Sequence, residues 1–248
     1  MPTSLAAALP DRVALVLSGG VALGAYQAGA CEVMDRAGLH PNWVVGTSIG
    51  AVNGAIVAGN PPGRRAERLR RFWEAASQPG TPWPLSPAGL SHRIQSLASL
   101  GQIGLLGCPP IFAPSPATPW SLWPDAEPRP GIFDLAPLRA TLMDCVDFGR
   151  LNGDEARFTA VAVDLDSGER VLFDTAAGRV EPEHLLASSA FLPGFRPVEV
   201  GGAALGDGGL HSNLPVDVVL EDGAAMDLLC LAIDLFARRG ARPRSLAT

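Results

Sequence analysis

No stretch of this sequence reaches the roughly 18 consecutive apolar residues that a membrane-spanning helix needs, so any lipid contact is expected to be peripheral. Cysteine is scarce. The four present, Cys31, Cys108, Cys145 and Cys230, lie far apart and form no Cys-x-x-Cys pair. Neither a disulfide framework nor a zinc site is implied, and a reducing compartment fits. Charge is sparse too: 18% of residues are charged, the net charge is −6, and Arg64–Arg71 is a lone basic cluster. That balance disfavours nucleic acid as a partner. The cluster reads as the solvated face of a helix rather than an anionic-lipid contact. Met1 to Pro10 lack the basic start and sustained apolar core of a signal peptide. A cytoplasmic protein is expected, with the inner membrane surface as the site of any peripheral contact.

What the chain does have is apolar material. With 248 residues and 47% hydrophobic content, it can bury a sizeable core in one large domain or two small ones. Val13–Leu17 is a continuous Val/Leu run, the pattern of a strand buried on both faces of a parallel sheet. Ser18-Gly19-Gly20 breaks it, and a helical pattern from Ala25 to Ala37 follows, closed by Gly38. Trp43–Val45 reads as a second strand, Ile49–Ala58 as a second helix and 64–77 as a third. Strand–helix–strand–helix order predicts an α/β fold, three-layer α/β/α around a mainly parallel central sheet.

From Gly80 to Gly131 proline and glycine become frequent, with Trp83, Trp120 and Trp123 among them. Such a stretch reads as a lid-like insert, taken here as 80–130. Order returns with a helix near 135–146, strands at 157–165 and 170–174 about an Asp166-Ser167-Gly168 turn, and a short helix at 182–190. Phe195–Val200, Ala203–Leu205 and Asp227–Phe236 read as further strands. There is no internal repeat. The domain is expected to span 12–237, with 1–11 and 238–248 as tails.

Three features carry chemistry. Gly46-Thr47-Ser48-Ile49-Gly50 sits at a strand-to-helix junction, where flanking glycines allow the sharp turn that exposes a serine at the end of a sheet. The following helix points its positive dipole end at the hydroxyl. Gly19-Gly20-Val21-Ala22-Leu23-Gly24 also ends a strand and opens a helix, so its amides can face an anion. It is neither the dinucleotide fingerprint nor a P-loop. The third feature is Asp207, followed by Gly208 and Gly209. A serine nucleophile needs a base and amide donors for the oxyanion, and Asp207 could take the proton directly.

In this combination and order the chain resembles the bacterial patatin-like phospholipases, over roughly residues 12–237. Ala187-Ser188-Ser189-Ala190-Phe191-Leu192-Pro193-Gly194 before the aspartate, and Leu210-His211-Ser212-Asn213-Leu214-Pro215 after it, look like the same family. The resemblance implies a serine lipid acyl hydrolase that cleaves fatty-acyl esters through an acyl-enzyme. Ser48 is then the nucleophile and Asp207 the base of a dyad, the amides of Gly19, Gly20 and Val21 form the oxyanion hole, and Gly24, Gly46, Gly50, Gly208 and Gly209 support the motifs. The implied partners are a lipid or fatty-acyl ester and a membrane or micelle surface. No cofactor is expected.

The chain departs from the family's Gly-Gly-Gly-x-Arg-Gly at Val21 and Leu23, as does a bacterial subgroup it also resembles. Val21 serves as a donor provided the loop needs no positive φ there. A non-catalytic lipid- or protein-binding scaffold and an acyltransferase are the competing readings. Among the histidines, His40 and His92 read as surface residues, His184 as a helix-start cap or core hydrogen-bonder, and His211 as the rival base. Asn53 and Asn213 read as loop-positioning residues. Asp164 and Asp166 flank a turn with no third ligand at metal spacing, so no metal site is expected.

Overall fold

The structure, a computed structural model, describes residues 10–77, 107–115, 131–222 and 227–236. The chain runs β1 (Arg12–Leu17), α1 (Gly24–Arg36), β2 (Trp43–Thr47), α2 (Ile49–Ala58) and α3 (Arg65–Ser77). A two-residue pairing of β3 (Ala113–Pro114) with β4 (Phe133–Asp134) precedes α4 (Ala136–Cys145) and α5 (Phe148–Leu151). Then come β5 (Arg157–Asp164), β6 (Arg170–Asp174), α6 (Pro182–Ser189), β7 (Val198–Val200), β8 (Ala203–Asp207), α7 (Val216–Glu221) and β9 (Leu228–Ile233).

Seven strands form one sheet in the order β7-β8-β5-β2-β1-β9, with β6 also on β5. The four strands β9, β1, β2 and β5 are parallel; β6 and β8 pair antiparallel with β5, and β7 pairs antiparallel with β8. The apolar runs explain the parallel block: Val13–Leu17 and Trp43–Thr47 are buried on both faces. One face packs on α2, whose ten residues are all buried and small enough to lie close against the sheet. Fully burying side chains such as Val52 and Ile56 stabilises the layer by about 1.5–3 kcal/mol each. The opposite face, with Ala14, Val16, Trp43, Val45 and Val161, is covered by Val218 and Val219 of α7. Helices thus flank a mainly parallel sheet on both sides, as the strand–helix alternation predicts.

The differences from the expected elements have local causes. The strand expected at Phe195–Val200 begins only at Val198, because Phe195 donates its amide back to Phe191 at 3.0 Å in a turn. Helices α5 and α7 are additions; α5 is started by Asp147, whose carboxylate accepts from the amides of Gly149 and Arg150. The arginine cluster is not simply a solvated face. Arg65 is buried, donating to the Asn60 carbonyl at 3.1 Å, while Arg70 pairs with Glu32 and Arg71 with Asp144. All four cysteines are free, and burial pushes the Cys31 thiol up to about 12, which makes it inert near neutrality.

The expected insert at 80–130 lies largely outside the described residues, as do most of the two tails. Its described part, 107–115, is fastened to the body. Thr141 Oγ1 donates to the Pro110 carbonyl at 2.6 Å, and the Phe112 ring packs edge-on against Phe133 and Phe195 at 4.9 and 5.4 Å. Among the described residues no helix is long and apolar enough to cross a membrane.

Candidate active site

Register on β5 brings the site together. Thr47 lies opposite Val161, and Asp207 lies opposite Ala162, the next residue along the same strand. Ala162 pairs with Val171 of β6 on its other edge, and Val161 with Leu172. Strands β2 and β8 therefore share one edge of β5, end to end, and Ser48 leaves β2 where Asp207 closes β8. Residues 159 positions apart in sequence become neighbours through a third strand.

Ser48 has φ 56° and ψ −127°, a conformation that ordinary residues avoid. Strain of this kind costs about 1–3 kcal/mol and persists only where the surroundings hold it. The surroundings here are specific. The Ser48 carbonyl accepts from the amides of Ala51 and Val52 at 2.9 and 3.2 Å, and the Ser48 amide donates to Ser188 Oγ at 3.0 Å. Gly50 must be glycine, since a Cβ there would stand 2.3 Å from the Leu17 carbonyl oxygen. The turn thus packs directly on the end of β1, and α2 starts at the serine.

Asp207 Oδ1 accepts from the Gly209 amide at 2.7 Å, and the Ser48 hydroxyl is near enough to the carboxylate to favour its charged form. Asp207 is 3% exposed, and burial raises its pKa above the ordinary aspartate value against the pull of the Ser48 hydroxyl and the Gly209 amide. A shielded carboxylate beside a serine hydroxyl can act as that serine's base.

The glycine loop differs from its sequence reading in two respects. Gly19 is not a free donor, because its amide is taken by the Asn213 carbonyl at 3.1 Å. Of the three expected donors, Gly20 and Val21 keep amides without a partner among the described residues. Val21 has φ 51°, the positive φ that the sequence reading required it to avoid. Its side chain is 73% exposed, so the backbone turns there without a packing clash. Gly19 itself sits hard against the site: a Cβ would lie 2.6 Å from Asn213 Oδ1 and 3.1 Å from Ser48 Cβ. Gly19→Ala should therefore displace the loop. The expected loss is about a hundred- to a thousandfold in kcat, the range for losing one oxyanion donor, with the circular dichroism spectrum unchanged.

Asn213 positions the loop as expected, since its Nδ2 also donates to the Gly19 carbonyl at 3.2 Å. Asn53 does the same from inside α2, donating to the Gly24 carbonyl and to Gln27 while accepting from Trp73 Nε1. Gln27 continues the chain to the Ser18 carbonyl at 2.8 Å. Sequence reasoning missed Gln27 and Ser188, both fully buried; the only signal was a polar residue on an otherwise core-facing helix stripe.

Among the described residues no histidine lies between serine and aspartate. His184 caps α6 reciprocally with Glu181 and stacks on Phe173 at 4.0 Å, a capping role. His211 is exposed, and its ring has no partner among the described residues. His40 is a surface residue 3.4 Å from Asp35, and His92 lies outside the described residues. Asp164 accepts from the amides of Asp166 and Ser167 in a local turn, and among the described residues no group of acidic, histidine or cysteine side chains is placed to hold a metal.

A family model described as patatin-like phospholipase matches residues 15–220. Among solved structures, that of VipD from Legionella pneumophila superposes with a TM-score of 0.50 and 16% identity, over 89% of this chain and 49% of that one. At that identity the likeness is one of fold, and this chain spans about half the length of that protein. No curated protein matches the sequence.

Proposed function

The chain belongs to the patatin-like phospholipase family, and from that membership and the geometry of its site we propose that it is a serine acyl hydrolase of fatty-acyl esters. The observation that carries this reading is the register of β2 and β8 on β5, which sets the strained Ser48 beside the buried Asp207. Ser48 Oγ attacks the ester carbonyl carbon as Asp207 takes its proton. The tetrahedral oxyanion accepts from the free amides of Gly20 and Val21. Collapse breaks the ester bond, and Asp207 returns the proton to the departing alcohol. Water, deprotonated by the same carboxylate, then attacks the acyl carbon, the bond to Oγ breaks to release the fatty acid, and Asp207 returns the proton to Ser48 Oγ. No metal or cofactor enters any step.

The substrate class follows from what surrounds the pair. Val21, Leu23 and Tyr26 on the loop and first turn of α1, and Leu210 just after Asp207, are large apolar side chains at least half exposed. They offer a fatty chain a surface next to the nucleophile, and a lipid aggregate a place to present one. The test is a panel of p-nitrophenyl esters and phospholipid micelles of graded chain length. Free fatty acid is expected from the parent, with preference for long chains, and none above background from Ser48→Ala. Acyl transfer to an added alcohol in place of fatty acid would assign the same pair to an acyltransferase. Protein that is folded but inert on every ester would mark a binding scaffold.

A further inference from the structure

We propose that Ser188 is a positioning residue for the reaction, holding the strained Ser48 peptide in the orientation that aims its hydroxyl at Asp207. This rests on the reading of Ser48 as the nucleophile.

Ser188 lies near the end of α6, 140 residues from Ser48, and its side chain is fully buried. Its one hydroxyl does two jobs. It donates to the Val161 carbonyl at 2.6 Å and accepts from the Ser48 amide at 3.0 Å. Val161 stands opposite Thr47, the residue before Ser48, and next to Ala162, which stands opposite Asp207. The hydroxyl therefore ties the serine's own peptide to the strand that sets the spacing of both reacting side chains. Among the described residues the other backbone hydrogen bonds of Ser48 act on its carbonyl, through Ala51 and Val52, and Ser188 is the side chain that holds its amide.

Chemistry limits what can replace it. A donor and an acceptor are needed on one short side chain, with the proton directed at Val161 so that a lone pair faces Ser48. Alanine would leave a buried N–H and a buried carbonyl without partners, at a positive-φ residue that needs holding. Ser188 touches neither substrate nor the reacting atoms; it acts through Ser48.

The test is Ser188→Ala and Ser188→Cys in the full chain, with kcat computed per active site titrated by a fluorophosphonate. Both variants are expected to lower kcat, by about ten- to a hundredfold for alanine and less for cysteine, with KM unchanged. Cysteine fills the same space as a weaker donor and acceptor, so it keeps the test open if the alanine variant does not fold. A second readout separates positioning from general weakening. Burial, the Ser48 hydroxyl and the Gly209 amide act on Asp207, and no charged group is among its influences. Moving the Ser48 hydroxyl away weakens one of the two groups that favour the carboxylate, so the acid limb of kcat should move to higher pH. Unchanged kcat per titrated site with an unmoved acid limb, in whichever variant folds, would overturn the proposal. A parent without Ser48-dependent turnover would instead overturn the hydrolase reading beneath it.

Discussion

Ser48→Ala is expected to fold like the parent and to lose ester hydrolysis by about 10⁴-fold or more. The size of the loss follows from the role: a covalent step through Oγ has no substitute once the oxygen is gone. The fold should survive because the hydrogen bonds that hold the turn go to backbone atoms. The Ser48 amide keeps Ser188, and its carbonyl keeps Ala51 and Val52. Alanine is no more strained than serine at φ 56°. Thermal unfolding should shift by a few degrees at most, and turnover should be measured on protein cleared of contaminating esterase. Retained turnover would place the nucleophile elsewhere.

Asp207→Asn is expected to lose about 10³-fold or more in kcat while unfolding at a higher temperature than the parent near pH 7. The amide has nearly the carboxylate's shape and can still accept from Ser48 and Gly209, but it cannot take the proton. The stability gain has a definite sign. Burial raises the folded-state pKa of Asp207 above its unfolded value, so the ionised form is the disfavoured one in the folded protein. Its destabilising effect is full above the raised pKa and fades as pH falls through that value toward the unfolded one. Asparagine removes it at neutral pH, so the gain over the parent should shrink in acid. The parent's kcat should fall along the same titration, since only the ionised carboxylate is a base. His211→Ala should lose far less, because its ring is exposed and unpartnered among the described residues. A His211→Ala variant as inactive as Asp207→Asn would replace the dyad with a triad.

Much of this was legible in one sequence, for physical reasons. Val13–Leu17 is apolar without alternation, which only a doubly covered strand tolerates. Gly38 marks the end of α1 because its φ of 72° is one that glycine adopts freely. The two glycines around Ser48 announce a turn too tight for side chains. What was hidden depends on register. That Asp207 reaches Ser48 is decided by β5, where β2 and β8 meet end to end, and no local pattern encodes that meeting. The engagement of the Gly19 amide comes from Asn213, 194 residues later. Helix α7 was missed because Val216-Asp217-Val218-Val219 alternates too little to tell six residues of helix from strand. Ser188 falls in a stretch that resembles the family, but its work is not legible there, since a serine in a helix does not show its neighbours across the sheet.

Covalent labelling by a fluorophosphonate, read by intact mass and peptide mapping, tests the central claim most directly. The folded parent is expected to take up one phosphonyl group per chain, on Ser48, at a rate that falls in acid. Ser48→Ala should take up none, and Asp207→Asn should label far more slowly. A folded parent that stays unlabelled, or that carries the adduct on a residue other than Ser48, would contradict the account.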